Sequence, residues 1–106
     1  MIELDTIQEF NRRVVQMYKP QKVILFGSYA TGTPSAESDV DILVILPFQG
    51  KSVAKSAEIL NQIDPRFPID LLVRTPEQVQ DRLDKGDFFI QEIMHKGKVL
   101  YEAPHA

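Results

Sequence analysis

Cysteine is absent from the 106 residues. That absence excludes disulfide scaffolds, zinc sites built on thiolates and thiol nucleophiles together, and it is compatible with a reducing compartment. Positive charge is not in excess either. Twelve Lys and Arg against fifteen Asp and Glu leave a formal net charge of −3, so no basic surplus is on hand to neutralise a phosphate backbone, and a dedicated nucleic-acid binder is disfavoured. Long apolar runs are missing too. The longest, Ile42 to Leu46, is far short of the roughly 18–20 residues that cross a bilayer. Glu3, Asp5 and Glu9 interrupt the apolar start that a signal peptide would need, so no membrane association is expected and the cytoplasm is the expected location. Repeats and low-complexity segments are also lacking. What is present is 43% hydrophobic and 25% charged residues, the balance of a globular chain, and the length suits one folded domain over residues 1–106.

Ile7, Phe10, Val14 and Met17 recur at spacings of three and four, which predicts a helix over about 5–18 with Asp5 as its N-cap and Pro20 as its stop. Lys22 to Phe26 reads KVILF, a short apolar run expected as a central strand buried on both faces. From Gly27 to Ser38 the small, polar and Pro/Gly residues of GSYATGTPSAES mark a long connection, with room for one helical turn at Ser28 to Thr31. Val40 to Leu46 resumes a strand, and Val53, Ala57, Leu60 and Ile63 form the next helical stripe. Ile69 to Val73 is a third strand candidate. Thr75-Pro76-Glu77-Gln78 then offers an N-cap Thr, a Pro at the first helical position and a Gln at the third, the pattern of a capping box. Val79 and Leu83 face inward, Gly86 breaks the helix, a further helical stripe runs from Phe88 to Met94 with Gly97 as its C-cap, and Val99 to Tyr101 adds a short edge strand. The alternation predicts an α/β (α+β) fold in which helices pack on a small mixed sheet.

The chemistry gathers around the second strand. Gly27-Ser28 ends one strand, and Asp39 and Asp41 open the next, separated by Val40 alone. Side chains at i and i+2 of a strand share a face, so the two carboxylates converge while Val40 and Ile42 turn to the core. Two adjacent acids call for a positive partner, and Mg²⁺, held by carboxylates and substrate phosphates, is the natural one. Asp70 lies in the third strand candidate among apolar neighbours, where an ionised group would be costly to bury alone. If that strand lies beside the one bearing Asp39 and Asp41, three carboxylates surround one place, enough for a two-metal site. Gly27 allows close backbone approach, Ser28 offers a hydroxyl, and the N–H groups at a helix start favour an anion. With five Gly, five Ser and eight Asp in the chain, a fixed GS-x10-D-x-D spacing arises by accident in roughly one chain in a thousand. The plain structural alternative makes Ser28 a turn residue, Asp39 a cap or turn residue after Ser38, and Asp41 a solvent-facing strand residue.

The segment FGSYATGTPSAESDVDILVIL, residues 26–46, resembles the signature of the polymerase-β-like nucleotidyltransferase superfamily. The short chain is similar to its minimal nucleotidyltransferase branch, the MNT antitoxins paired with HEPN-domain toxins. The motif covers about a fifth of the chain, and the order of elements through Asp70 extends the likeness over most of it. The resemblance implies that Gly27 and Ser28 contact a nucleoside triphosphate, that Asp39 and Asp41 bind Mg²⁺, and that Asp70 completes a catalytic two-metal site. It further implies transfer of AMP from ATP to a hydroxyl, in this branch a tyrosine of the HEPN toxin, with pyrophosphate leaving. The sequence departs from the branch at one place: many members carry G-S-x-A-R-G, and Thr31 stands where the arginine would be. Lys55 and Arg74 are the candidates to replace that charge.

At 106 residues there is no room for the separate substrate domain of larger nucleotidyltransferases, so a partner protein is expected to supply the opposite wall. A rival reading from another class is an antitoxin that masks its toxin by binding alone, supported by the missing arginine. A third is a regulatory domain that binds Mg²⁺-nucleotide and transfers nothing. His95 is read as a charge suited to a helix C-terminus, His105 as part of a tail, and Tyr29 as a packing residue next to the Gly-Ser pair. Phe88 and Phe89 cannot both face one core stripe, which leaves one of them for a partner surface or a packed loop. Lys51 joins Lys55 and Arg74 as a phosphate contact only if it faces the acids.

Overall fold

The computed structural model describes residues 1–104; His105, assigned above to a tail, lies outside them. Among the described residues four strands form one mixed sheet: β1 (Lys22–Phe26), β2 (Val40–Ile45), β3 (Ile69–Arg74) and β4 (Lys98–Glu102), in the order β3-β2-β1-β4. β1 runs antiparallel to both β2 and β4, while β2 and β3 are parallel, joined by α3 (Ser52–Gln62) as a parallel pair requires. The remaining helices are α1 (Leu4–Tyr18), α2 (Ser28–Thr31), α4 (Pro76–Asp84) and α5 (Phe88–Lys96).

Period-two alternation sorts the strand residues between two layers of core. Val23, Leu25, Val40, Ile42, Val44, Leu71 and Val73 pack with Ile7, Phe10 and Val14 of α1 and with Ile59 of α3. Ile24, Phe26, Leu43 and Ile45 pack on the opposite face with Val79 of α4 and with Ile90 and Ile93 of α5. Burial on both faces is why β1 after Lys22 and β2 after Asp41 read as unbroken apolar runs. The open edge of β4 carries an irregularity: Ile24 pairs with Val99 and Val23 with Tyr101, so Leu100 is an extra residue. Its carbonyl accepts from the Nδ2 of buried Asn11 at 3.3 Å, which brings α1 against part of the edge.

Several local expectations are corrected. Glu3, not Asp5, occupies the N-cap of α1, and Asp5 sits in the first turn, where a negative charge suits the helix dipole. Met17 is exposed, whereas Tyr18 packs against the core, because a 3.6-residue period carries the inward stripe from Val14 to position 18. On α3 the predicted stripe is half right: Leu60 and Ile63 pack on the core as expected. Val53 is 80% exposed and Ala57 is exposed, and Ser56 and Ile59 take their places on the inward face. Ser56 donates its hydroxyl to Ser52 O and to Leu71 O, both at 3.1 Å, so a polar residue lies on the packed face with its hydrogen bonds made. The capping box at Thr75 is present in full, with Gln78 N donating to Thr75 Oγ1 and Thr75 N to Gln78 Oε1, each at 3.0 Å.

Candidate active site

The Gly27-Ser28 turn leaves β1 directly into α2, and Gly27 is the N-cap with φ +73°. That left-handed conformation favours glycine, and a side chain there would also collide: a Cβ on Gly27 would run into the carboxylate of Asp41. The turn and the first acid of β2 are therefore built around each other. Inside the loop, Thr31 Oγ1 lies 3.4 Å from Gly27 O, 3.3 Å from Ser28 O and 3.1 Å from Thr33 Oγ1, so the residue standing in for an arginine hydrogen-bonds within the loop.

Asp39 immediately precedes β2, and Asp41 is its second residue. Asp41 is paired directly with Asp70 in the parallel β2–β3 register, as Val40 is with Ile69. The condition set for Asp70 is met: the two strands are neighbours, and Asp41 and Asp70 stand side by side in register. One part of it is corrected. Asp70 is exposed, near the start of β3, and pays no burial penalty. Asp41 is the half-buried member, and its carboxyl is pushed above the ordinary carboxylate range, first by burial and then by the charges of Asp70 and Asp39. By alternation Asp41 shares a face with Leu43 and Ile45, and Asp70 with Leu72, which is the face covered farther along by α4 and α5.

Among the described residues, no Lys, Arg or His forms an ion pair with any of the three acids. Among the described residues no three acidic or imidazole side chains are close enough to make a ready metal cage, so the expected convergence of three carboxylates on one place is not present. The donor set nonetheless fits a hard divalent cation: it is all oxygen, carries formal charge without a protein counter-charge, and lies where substrate phosphates could complete the coordination. Asp39, Asp41 and Asp70 are the residues that could hold such an ion.

The cations named from sequence are elsewhere. Lys55 pairs with Glu58 at 3.2 Å and lies 5.4 Å from the centre of the Tyr18 ring, on the α3 layer across the sheet from the acids. Arg74 is four residues along β3 from Asp70, roughly 13 Å at strand rise, and donates to Val73 O at 2.8 Å. Lys51 precedes α3, beyond the far end of β2. Tyr29 is tied to the chain start, its hydroxyl accepting from Ile2 N at 3.1 Å, and it packs against the α1 layer. His95 falls in the last turn of α5, as expected.

Sequence reasoning missed the other wall of the site. A cleft of about 270 Å³ opens beside Gly27 and Asp41, walled by Phe26, Thr31, Phe89 and Lys96 among others. Phe89, Glu92, Ile93 and Lys96 are one stripe of α5, so a helical phase beginning at Phe89 was the signal available. Gly97 closes α5 at the predicted position, yet with φ −70°. Its glycine is required by space: a Cβ would lie 2.5 Å from both Ile24 Cγ2 and Ile93 O. That close approach brings α5 down onto β1 and forms the cleft.

A mixed sheet that ends in paired carboxylates beside a glycine-pinned turn defines an α+β domain of the kind that handles phosphate esters. Residues 7–100 match the family model described as nucleotidyltransferase domain, and the chain belongs to that family. It is similar to a provisionally named protein adenylyltransferase of Methanocaldococcus jannaschii, 29% identical over 111 residues that cover 95% of this chain and all of that one. In fold it is similar to a provisionally named nucleotidyltransferase from Sulfolobus solfataricus, with TM-score 0.65, 19% identity, and 93% of this chain and 79% of that one covered. It is also similar to a chain of a toxin–antitoxin structure determined with AMP-PNP, with TM-score 0.58, 22% identity, and coverage of 91% and 73%. The chain is thus a nucleotidyltransferase by family, and among its described residues no helix is long and apolar enough to cross a membrane.

Proposed function

We propose that residues 1–106 form one minimal nucleotidyltransferase domain that transfers AMP from ATP, with Mg²⁺, to a tyrosine hydroxyl of a partner HEPN-type toxin, and so acts as its cytoplasmic antitoxin. The observation that carries the reading is the register pairing of Asp41 with Asp70, next to Asp39 and to a glycine turn that only glycine can make. The toxin partner and the adenylyl group are drawn from the similar proteins, one named for protein adenylyl transfer and another bound to AMP-PNP in a toxin–antitoxin assembly.

In this reading Gly27 and Ser28 receive the triphosphate through backbone N–H groups and the Ser28 hydroxyl, and the small Gly27 lets the chain approach it closely. Asp39, Asp41 and Asp70 would hold the metal, which when bound supplies neutralisation of triphosphate charge. Asp70, the exposed acid of the β2–β3 pair, faces the incoming hydroxyl and takes its proton as oxygen bonds to the α-phosphorus. The bond from that phosphorus to the bridging oxygen of the β-phosphate breaks in line, and pyrophosphate leaves. Positioning and charge neutralisation carry such a displacement, so a domain this small suffices when a partner supplies the acceptor.

Intact-mass spectrometry of the neighbouring-gene product, incubated with this chain, Mg²⁺ and ATP, tests the reading. AMP-sized additions are expected with the wild-type chain and none with Asp39→Asn/Asp41→Asn. A second reading, an antitoxin that neutralises by masking, is favoured by the Thr31 loop, which hydrogen-bonds within itself and offers no cation. It predicts a stable complex, neutralisation by the double variant and no mass change.

A further inference from the structure

The acids and the glycine turn account for a triphosphate but leave the nucleoside without a seat. The cleft beside them has the chemistry of one. Its inner wall is Phe26, the register partner of Asp41 across the β1–β2 pair, so the aromatic wall begins one strand spacing, roughly 5 Å, from the acid. Its outer wall is Phe89, on the first turn of α5. A phenylalanine that is 54% exposed would ordinarily be a loose surface ring. This one is held: its ring meets that of buried Phe26 at a centroid distance of 5.9 Å and an interplanar angle of 84°, an edge-to-face contact that fixes its plane. Glu92 and Lys96, paired at 3.0 Å, add an acceptor and a donor at the same cleft.

We propose that this cleft between α2 and α5 is the nucleobase subsite, with Phe89 as the stacking platform for the base of the nucleotide whose phosphates lie at Gly27 and the acids. The proposal rests on the nucleotidyltransferase reading and adds to it the residue that sets nucleoside affinity. A flat apolar ring fixed beside a phosphate site suits a base, because every base presents a π face and its stacking strength grows with ring size. Purine nucleotides are therefore expected to bind more tightly than pyrimidine nucleotides. Phe88, the adjacent residue at 72% exposure, does not line the cleft and serves as the control.

The chain contains no tryptophan, so Phe89→Trp introduces a single reporter. With Mg²⁺, ATP is expected to quench its emission saturably, whereas inorganic tripolyphosphate at saturating concentration leaves it unchanged. Phe88→Trp is expected to respond to neither. Phe89→Ala should weaken ATP binding by calorimetry roughly ten-fold, the order that loss of one base–aromatic stack produces, with tripolyphosphate binding unaltered. Unchanged ATP affinity in Phe89→Ala, with no quenching of Phe89→Trp, would overturn the subsite and leave the nucleotidyltransferase reading intact. Slower transfer to the acceptor at unaltered ATP affinity would assign the cleft to the acceptor and equally overturn it. A wild-type chain that binds no ATP with Mg²⁺ would remove both.

Discussion

The two faces of the sheet are built from the same strands and do different work. Under α1 and α3, side chains from β1, β2 and β3 are apolar from one end of the sheet to the other, and Val14, Val23, Val40, Ile42 and Val44 are fully buried. Under α4 and α5 the same strands are apolar only part of the way. Leu43 and Ile45 of β2 are covered, whereas Asp41, next in line on that face, is half-buried, and its neighbour Asp70 is exposed. One face is closed by hydrophobic burial. The other stops short and leaves mutually repelling carboxylates and a cleft at its end. The difference teaches where stability and chemistry are separated in so small a chain: Val40 and Ile42 anchor β2 from one side while Asp39 and Asp41 are displayed from the other.

If that separation is real, substitutions on the two faces must fail in different ways. Asp39→Asn/Asp41→Asn carries the largest effect: a loss of nucleotidyl transfer on the order of a thousand-fold or more, about 4 kcal/mol of barrier, with the circular dichroism spectrum and cooperative unfolding kept. Radiolabelled ATP transfer and a denaturation curve on the same sample check both halves. Ile42→Ala, one residue along but facing α1 and α3, should do the reverse and cost about 2–5 kcal/mol of stability in a urea titration. Folded Ile42→Ala should keep much of its transfer rate at low temperature. Gly27→Ala lies between the two, because Gly27 has φ +73° and its added Cβ meets Asp41. It is expected to lose about 1–3 kcal/mol of stability and roughly a hundred-fold in rate by misplacing the carboxylate. A Gly27→Ala chain with wild-type rate would break the claim that turn and acid are built around each other.

The central strands were legible in the sequence. Apolar runs gave β1 and β2 to within a residue, since burial on both faces beyond Lys22 and Asp41 leaves no polar interruption to misread. The Gly-Ser turn and the Asp39/Asp41 pair were equally legible because each is local: a strand end, a strand start and a period of two. What stayed hidden depends on tertiary packing. The first half of the α3 stripe was misplaced because Ser56 faces inward and Val53 outward, which the carbonyls of Ser52 and Leu71 make tolerable. Asp70 looked buried among apolar neighbours, but its place near the start of β3, fixed by pairing with β2, leaves it in solvent. The cleft of Phe89 and Lys96 exists only because Gly97 lets α5 approach β1. From sequence Gly97 could be read only as a cap.

The smallest expected effect sharpens the comparison most, because it concerns what the unsealed end costs. The carboxyl of Asp41 is held above its ordinary range by burial, Asp70 and Asp39. Below that range the group is protonated in folded and unfolded chains alike and has no influence on stability. As pH rises through the unfolded value, the unfolded chain gives up its proton first and is favoured. Once pH passes the higher folded value, the whole penalty is present. Asp41 is therefore expected to destabilise the metal-free protein at neutral pH, and Asp41→Asn should melt up to a few degrees higher than wild type at about pH 7. The gap should close as pH falls toward about 4. Scanning calorimetry of both chains across that interval, with chelator present, measures it. Millimolar Mg²⁺ at neutral pH should raise the wild-type melting temperature and leave Asp41→Asn nearly unmoved, since the charge that repels Asp39 and Asp70 is the same charge that would bind the ion. A gap that persists unchanged into acid would mean that Asp41 is destabilising through its shape against Gly27, and that the unsealed end of the sheet carries no electrostatic cost.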